Sequence, residues 1–218
     1  MKRSIFFLAF LTLVFSCNSG DSSQPQSESE NNFYALTVGN LWEYRWYGID
    51  NEGNENPMDL HETISIVGME EINDNLYYKF SRTITGNFNG NYGFVPENGE
   101  HFEYYRDSLG YLVNSEGGIK FSNNINDSFI IYPSYEENSG IVNSIAETQA
   151  EIVMYDTEAG TFDCLELIVS FVRDDGFIYP AKNRVYYSDG IGLVKDDHVF
   201  LSAETAGYYR KLQSYSFQ

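Results

Sequence analysis

From Phe33 onward the apolar positions recur with a period of two. In "LWEYRWY", Trp42, Tyr44 and Trp46 fall on one face while Glu43 and Arg45 fall on the other. Such alternation is what a half-buried strand requires, because successive side chains leave opposite faces. In "ETISIV", Ile64 and Ile66 oppose Thr63 and Ser65, and in "LYYKFSRTI", Leu76, Tyr78, Phe80 and Ile84 oppose Tyr77, Lys79, Ser81 and Thr83. The link Asn73-Asp74-Asn75 tolerates left-handed backbone, so these two runs read as a hairpin. Short strands follow in "HFEYYRDSLGYLVNSEGGIKF" and "FIIYP", divided by the turns "DSLG" and "SEGG". "AEIVMYDTEAGTFDCLELIVSFV" gives two more around Thr157 to Gly160, and "NRVYYSDGIGLVK" and "AGYYRKLQSYSF" close the series. No segment after residue 32 carries a sustained 3.6-residue period. "NSIAETQ", near residue 145, is the one place for a short helix. Pro57, Pro96, Pro133 and Pro180 are expected in or beside turns, where they break no ladder. The pattern predicts one antiparallel β domain over 33–218, of eight to eleven strands. It would form a curved sheet, a half-barrel or a barrel-like body.

The region before Phe33 has a different character. Lys2 and Arg3 precede the eleven-residue apolar run Ile5 to Phe15. That run is too short to span a bilayer, which takes about 20 residues. A basic start and an apolar core of this length read as a secretory leader. It ends in "VFSC", which resembles the lipobox of bacterial lipoproteins, cut just before the cysteine. Residues 1–16 are thus expected to be a lipoprotein signal peptide and Cys17 a lipidated anchor carrying palmitate-type chains. Each buried CH₂ adds about 0.8 kcal/mol of membrane affinity, so two or three acyl chains would hold the protein at a membrane. Residues 17–32, "CNSGDSSQPQSESENN", are almost wholly polar and read as a flexible tether.

Charge narrows the list of partners. With 32 acids against 13 bases the net charge is −19, and loss of Lys2 and Arg3 with the leader would make it more negative. Such a surface repels nucleic acid, which is bound by clustered Lys and Arg. Aromatics are 17% of the chain, enough to bury a core and to argue against disorder.

Candidate chemistry is sparse. His61 lacks the second His at i+4 of a zinc-protease helix. His101 and Glu103 could share a strand face but lack a third ligand, and His198 sits in "KDDHVF". All three read as ordinary surface histidines, so no metal site is expected. Cys164 has apolar neighbours on both faces and no histidine nearby, which describes a buried, inert thiol. The Asn/Asp-rich loop "DNEGNENPMD", residues 50–59, is the best calcium candidate, but its spacing departs from a calcium-binding loop. Nucleophile-elbow, phosphate-loop and dinucleotide motifs are absent from the sequence, and no cofactor or catalytic residue is assigned. Asp107 to Leu109, "DSL", resembles the O-glycosylation acceptor motif of Bacteroidota. The stripe Trp42, Tyr44, Trp46 is the candidate ligand-binding surface, because aromatic platforms take up sugars and lipids. Packing into a core is the competing explanation, favoured by the polar residues opposite.

Three blocks extend this reading. "FYALTVGNLWEYRWY", "EAGTFDCLEL" and "VYYSDGIGLVK" resemble, in order, conserved-looking pieces of uncharacterised secreted lipoproteins of Bacteroidota, although Glu158 stands where those proteins tend to be apolar. The resemblance implies a β-rich fold, in some members like the curved sheet of periplasmic lipoprotein carriers, and an envelope location. It implies no activity. Asp does not follow Cys17, so an inner-membrane retention signal is missing and the outer membrane is expected. Asp21 alone is a poor match for a surface-export tag, and the sequence does not choose between the periplasmic and outer faces. The expected role is non-enzymatic binding or structure, with a hydrophobic or glycan ligand and the membrane, through Cys17, as partner. The alternative is a hydrolase of envelope or extracellular polysaccharide, which would need two carboxylates brought together in space. A face that docks a partner of an outer-membrane assembly is a third possibility. No oligomeric state is implied.

Overall fold

The computed structural model describes residues 32–50, 52–137, 140–203 and 207–218. The leader, Cys17 and nearly all of the tether lie outside the described residues.

Twelve strands run in chain order among the described residues: β1 (Leu41–Ile49), β2 (Glu55–Ile72), β3 (Asn75–Thr85), β4 (Gly99–Ser108), β5 (Tyr111–Asn114), β6 (Ile119–Ser122), β7 (Ser128–Glu137), β8 (Gly140–Thr157), β9 (Gly160–Arg173), β10 (Ile178–Ser188), β11 (Gly192–His198) and β12 (Tyr208–Ser216). All belong to one antiparallel sheet in the order β6-β5-β4-β3-β2-β1-β12-β11-β10-β9-β8-β7. The first and last strands therefore pair in the middle of the sheet, and its edges are β6 and β7, from the middle of the chain. Right-handed strand twist curls the sheet until those edges approach. They meet without a shared ladder. The Thr148 hydroxyl on β8 donates to the Ser122 carbonyl at 2.8 Å, and the Thr148 backbone exchanges hydrogen bonds with Asn126 and Asp127. The result is an all-β, nearly closed barrel.

Local sequence explains the joints. At the β2–β3 turn Asn73 and Asp74 have φ of 49° and 61°, the doubly left-handed geometry that suits a two-residue hairpin. Gly192 is required for a different reason. A Cβ there would stand 3.3 Å from the Tyr34 carbonyl oxygen, and its φ is +88°. Four expectations need correction. The segment near residue 145 is strand, not helix: it lies within β8, laddered to β7 and β9 on either side, and that pairing outweighs its weak helical propensity. The strands number twelve, one above the predicted range, two of them only four residues long. Leu76 is 55% exposed at the hairpin end rather than part of the core face. Pro57, Pro133 and Pro180 lie within strands, at or beside places where the ladder register shifts, so the missing N–H is absorbed by irregularities rather than by turns.

The longest hairpin, β8–β9, leaves the sheet's register between Thr148 and Ile152. Its tip lies against the outside of the barrel. Glu158 in the turn accepts hydrogen bonds from Tyr47 Oη and Gln213 Nε2, both at 2.8 Å, and Phe162 meets the Tyr215 ring edge-on. Cys164 is consequently buried on both sides, as its sequence context predicts. Burial pushes its thiol up to about 12, with the Asp163 charge adding to the effect.

Candidate functional site

The barrel encloses a cavity of about 430 Å³. Strand β1 supplies its most aromatic wall. Trp42, Tyr44 and Trp46 are 3%, 3% and 4% exposed and all line the space. Each has its polar atom occupied: Trp42 Nε1 donates to the Ile191 carbonyl at 2.7 Å, Tyr44 Oη to the Leu193 carbonyl at 2.8 Å, and Trp46 Nε1 to Glu62 Oε1 at 2.7 Å. The two sequence readings of the stripe, core and ligand surface, thus fall on the same side chains. The rings are packed at their edges and tips and still border the cavity.

Charged residues join them on the apolar phase of neighbouring strands. Glu62 follows Leu60 and precedes Ile64 on β2, and Arg82 stands between Phe80 and Ile84 on β3. Arg210 comes from β12, Asp196 from β11 and Glu103 from β4. Glu62 is the centre: its oxygens accept from Arg82 Nη2 at 2.8 Å and Nε at 2.9 Å, from Arg210 Nη1 and from Trp46. Arg82 Nη1 also reaches Glu103 Oε1 at 3.1 Å, and Glu103 Oε2 accepts from Tyr105 Oη at 2.9 Å. Arg210 forks onto Asp196 at 2.7 and 3.0 Å. Burial by itself would raise the Glu62 carboxyl, but the Arg210 and Arg82 guanidiniums and the Trp46 N–H outweigh it and hold it at about 2. Glu103 is lowered in the same way, burial being overcome chiefly by Arg82. This is an ionised network in which every charge is paired and hydrogen-bonded.

The two ends of the barrel are covered differently. At one end the chain entering β1 lies across the opening. There the Phe33 ring is 6.0 Å from that of Phe121, and Tyr34 Oη donates to the Gly110 carbonyl at 2.5 Å. At the other, the loop between β3 and β4 is organised by Asn87. Its amide donates to the carbonyls of Tyr92, Val95 and Pro96 and accepts from the Tyr92 N–H. That loop places Phe94 against His198, rings stacked at 4.8 Å, and against Tyr208 at 4.6 Å. Burial lowers the His198 pKa, against the raising effect of Asp196, so the imidazole is neutral near pH 7.

The remaining sequence candidates do not converge. His61 lies beside Asp59 at 3.9 Å, His101 Nε2 is 2.8 Å from the Glu97 carbonyl, and His198 is on the cavity wall rather than the outer surface. Among the described residues no three His, Cys, Asp or Glu side chains are arranged to hold a metal ion. The 50–59 stretch is not all loop, because 55–59 begin β2, which ladders to β1. Its Asp50 carboxylate is consumed locally, accepting from the backbone N–H groups of Glu52 and Asn54 and from the Asn54 and Asn56 amides. In the "DSL" turn Asp107 accepts from the Gly110 N–H at 2.8 Å, while Leu109 is 92% exposed at a φ of 57°. Sequence reasoning missed Glu62, Arg82, Asp196 and Arg210, and weighed Glu103 only as a metal ligand beside His101. The signal was a charged residue occupying an apolar beat of the period-two pattern, clearest in "Phe80-x-Arg82-x-Ile84".

No protein-family model matches the chain, and no curated protein matches it. Two solved structures share its fold. A candidate lipoprotein from Parabacteroides distasonis superposes with a TM-score of 0.53 at 12% identity, over 87% of this chain and 100% of its own. A candidate exported protein with a YmcC-like fold from Bacteroides fragilis gives 0.50 at 11% identity, over 85% of this chain and 99% of its own. At such identities the likeness is one of fold alone.

Proposed function

We propose that this chain is a lipid-anchored protein of the cell envelope, held in the outer membrane through Cys17, whose barrel takes up a small apolar or amphipathic molecule without transforming it. Support for the location comes from the leader ending in "VFSC" and the polar tether after it. The names of the two structural neighbours agree with that location. The binding role rests on one observation, the cavity of about 430 Å³ walled by aromatic and aliphatic side chains together with the paired charges described above. Its size falls in the range of small-molecule sites, about 300–1,000 Å³. A glycan is the weaker choice of ligand. Sugar hydroxyls need free donors and acceptors, and the carboxylates and guanidiniums at the wall are already engaged with one another. The hydrolase alternative draws no support from this wall either. A general acid needs a free carboxyl held protonated: Glu62 and Glu103 are both held ionised, and Asp197, which burial raises, is bound to the Lys195 ammonium at 2.6 Å.

The chain's two tryptophans, Trp42 and Trp46, both border the cavity, so the protein carries its own reporter. Titration with decan-1-ol should give a saturable change in tryptophan emission, and titration with a soluble oligosaccharide should give none. Silence with both would overturn the binding role. For the anchor, Cys17→Ser should release the protein from membranes or leave an uncleaved precursor. Unchanged fractionation and processing would remove that half of the proposal.

A further inference from the structure

Every pair of adjacent strands shares a ladder except β6 and β7, and the cavity reaches that interval: its wall includes Lys120 from β6, Ile131 from β7 and Ser144 from β8. Among the described residues the bonds across the interval gather at one end, where Ser122 and Thr148 meet and Tyr111 Oη donates to Asp127 at 2.5 Å. Both barrel ends are occupied by side chains, Phe33 and Tyr34 at one and Phe94 and His198 at the other. Among the described residues the flank is thus the stretch of the enclosure held by the fewest bonds. Two of the cations at the cavity wall, Arg82 and Arg210, are consumed by Glu62, Glu103 and Asp196. Lys120 differs. It is exposed, it borders the cavity, and no carboxylate among the described residues lies within ion-pair distance of it. Lys120 helps to lower the Glu103 carboxyl from beyond ion-pair distance, while Arg82 and Tyr105 engage that carboxylate directly. The ammonium can therefore accept a carboxylate or phosphate without breaking a direct ion pair, and its location beside an apolar space selects a molecule that is anionic at one end only.

We propose that the unladdered interval between β6 and β7 is the entrance to the cavity, and that Lys120 at its lip receives the anionic head of a single-chain amphiphile whose apolar body lies among Ile64, Phe80, Val169 and Phe171. This rests on the reading of the barrel as a binding protein and adds the ligand class and the route of entry. The test uses the folded protein and tryptophan emission with decanoate, decyl phosphate and decan-1-ol. Lys120→Glu should weaken decanoate or decyl phosphate about tenfold or more while leaving decan-1-ol within about twofold. Whichever acid binds more tightly to the unaltered protein identifies the head as carboxylate or phosphate. Added salt should weaken the acids and spare the alcohol. Ile131→Phe, which adds bulk on the β7 side of the interval, should slow association of all ligands several-fold. Unchanged affinity of both acids in Lys120→Glu overturns the head-group assignment, and an unchanged association rate in Ile131→Phe overturns the entrance, while decan-1-ol binding would leave the cavity reading intact. If none of the three ligands alters the emission of the unaltered protein, the binding reading fails and this proposal falls with it.

Discussion

Two of the barrel's buried charges are held by different means. Inside, Glu62 is shared by two guanidiniums and an indole N–H, each delivered by a different strand. Outside, Lys195 on β11 is covered by the β8–β9 tip. Its ammonium meets Asp197 at 2.6 Å and otherwise faces rings: Tyr209 at 4.8 Å, and Tyr155 and Tyr186 at 5.2 Å each. The contrast follows from the cations. A guanidinium is planar and weakly hydrated, so it can fork onto two carboxylates and remain satisfied in a dry interior. An ammonium is a strongly hydrated point charge, and ring faces are what replaces its lost water on the other sides. The inner cluster is fixed by the barrel itself, whereas the outer cage takes one of its rings, Tyr155, from the docked β8–β9 hairpin.

The most severe way to break this contrast is at its centre. Glu62→Gln removes the negative charge between Arg82 and Arg210 and should cost about 3–5 kcal/mol, read by urea denaturation. A loss near zero would mean that the interior charges do not hold one another. Acid offers the next test, because the two regions answer with opposite sign. Glu62 is held at about 2 against an ordinary 4.5, so the unfolded chain binds more protons in that interval. Its contribution is complete above about 4.5 and is lost as pH falls toward about 2. Asp197 goes the other way. Burial raises its pKa, an effect that the Lys195 ammonium only partly offsets, so protonation on acidification favours the folded form. Denaturation midpoints from pH 5 to 2 should fall for the unaltered protein and fall much less for Glu62→Gln. A smaller effect is expected at the cage. Lys195→Met keeps the bulk against the tyrosine rings and lets Asp197 take up a proton, at about 1–2 kcal/mol. A loss as large as that of Glu62→Gln would erase the distinction between the two sites. The smallest change sharpens it. Glu158→Ala removes the bonds to Tyr47 and Gln213 and should cost about 1 kcal/mol. Amide exchange should quicken over the β8–β9 tip alone, with the tryptophan emission unmoved.

Much of the fold was legible in the residues. Asn73 and Asp74 announced their hairpin, and the flanks of Cys164 its two-sided burial. The helix at residue 145 was misread because an isolated heptapeptide carries no record of the strands on either side of it. The site was legible in part. Trp42, Tyr44 and Trp46 were assigned to one face correctly, but the face could not say whether it bordered solid core or an open space. Arg82 was passed over although it occupies the same beat as Phe80 and Ile84. A lone cation in a strand ordinarily faces water, and only its partners on β2 and β4 explain its inward position. Glu158 showed as a departure from an apolar habit, and its purpose, to receive Tyr47 across the outside of the barrel, lay in a different third of the chain.

What the sequence determined by itself is whatever obeys the two-residue period and the chemistry of tight turns: an all-β antiparallel body, the inward face of the β1 stripe, and most of the places where the chain reverses. Those properties depend on neighbours a few residues apart. Tertiary structure alone decided that Glu62 meets Arg210 across 148 positions, that the edges of the sheet come from the middle of the chain, and that the approach between them stops short of a ladder. Periodicity fixes which way a side chain points. The curling of twelve strands around a common axis fixes what it meets there, because closure depends on accumulated twist and register that no local window contains.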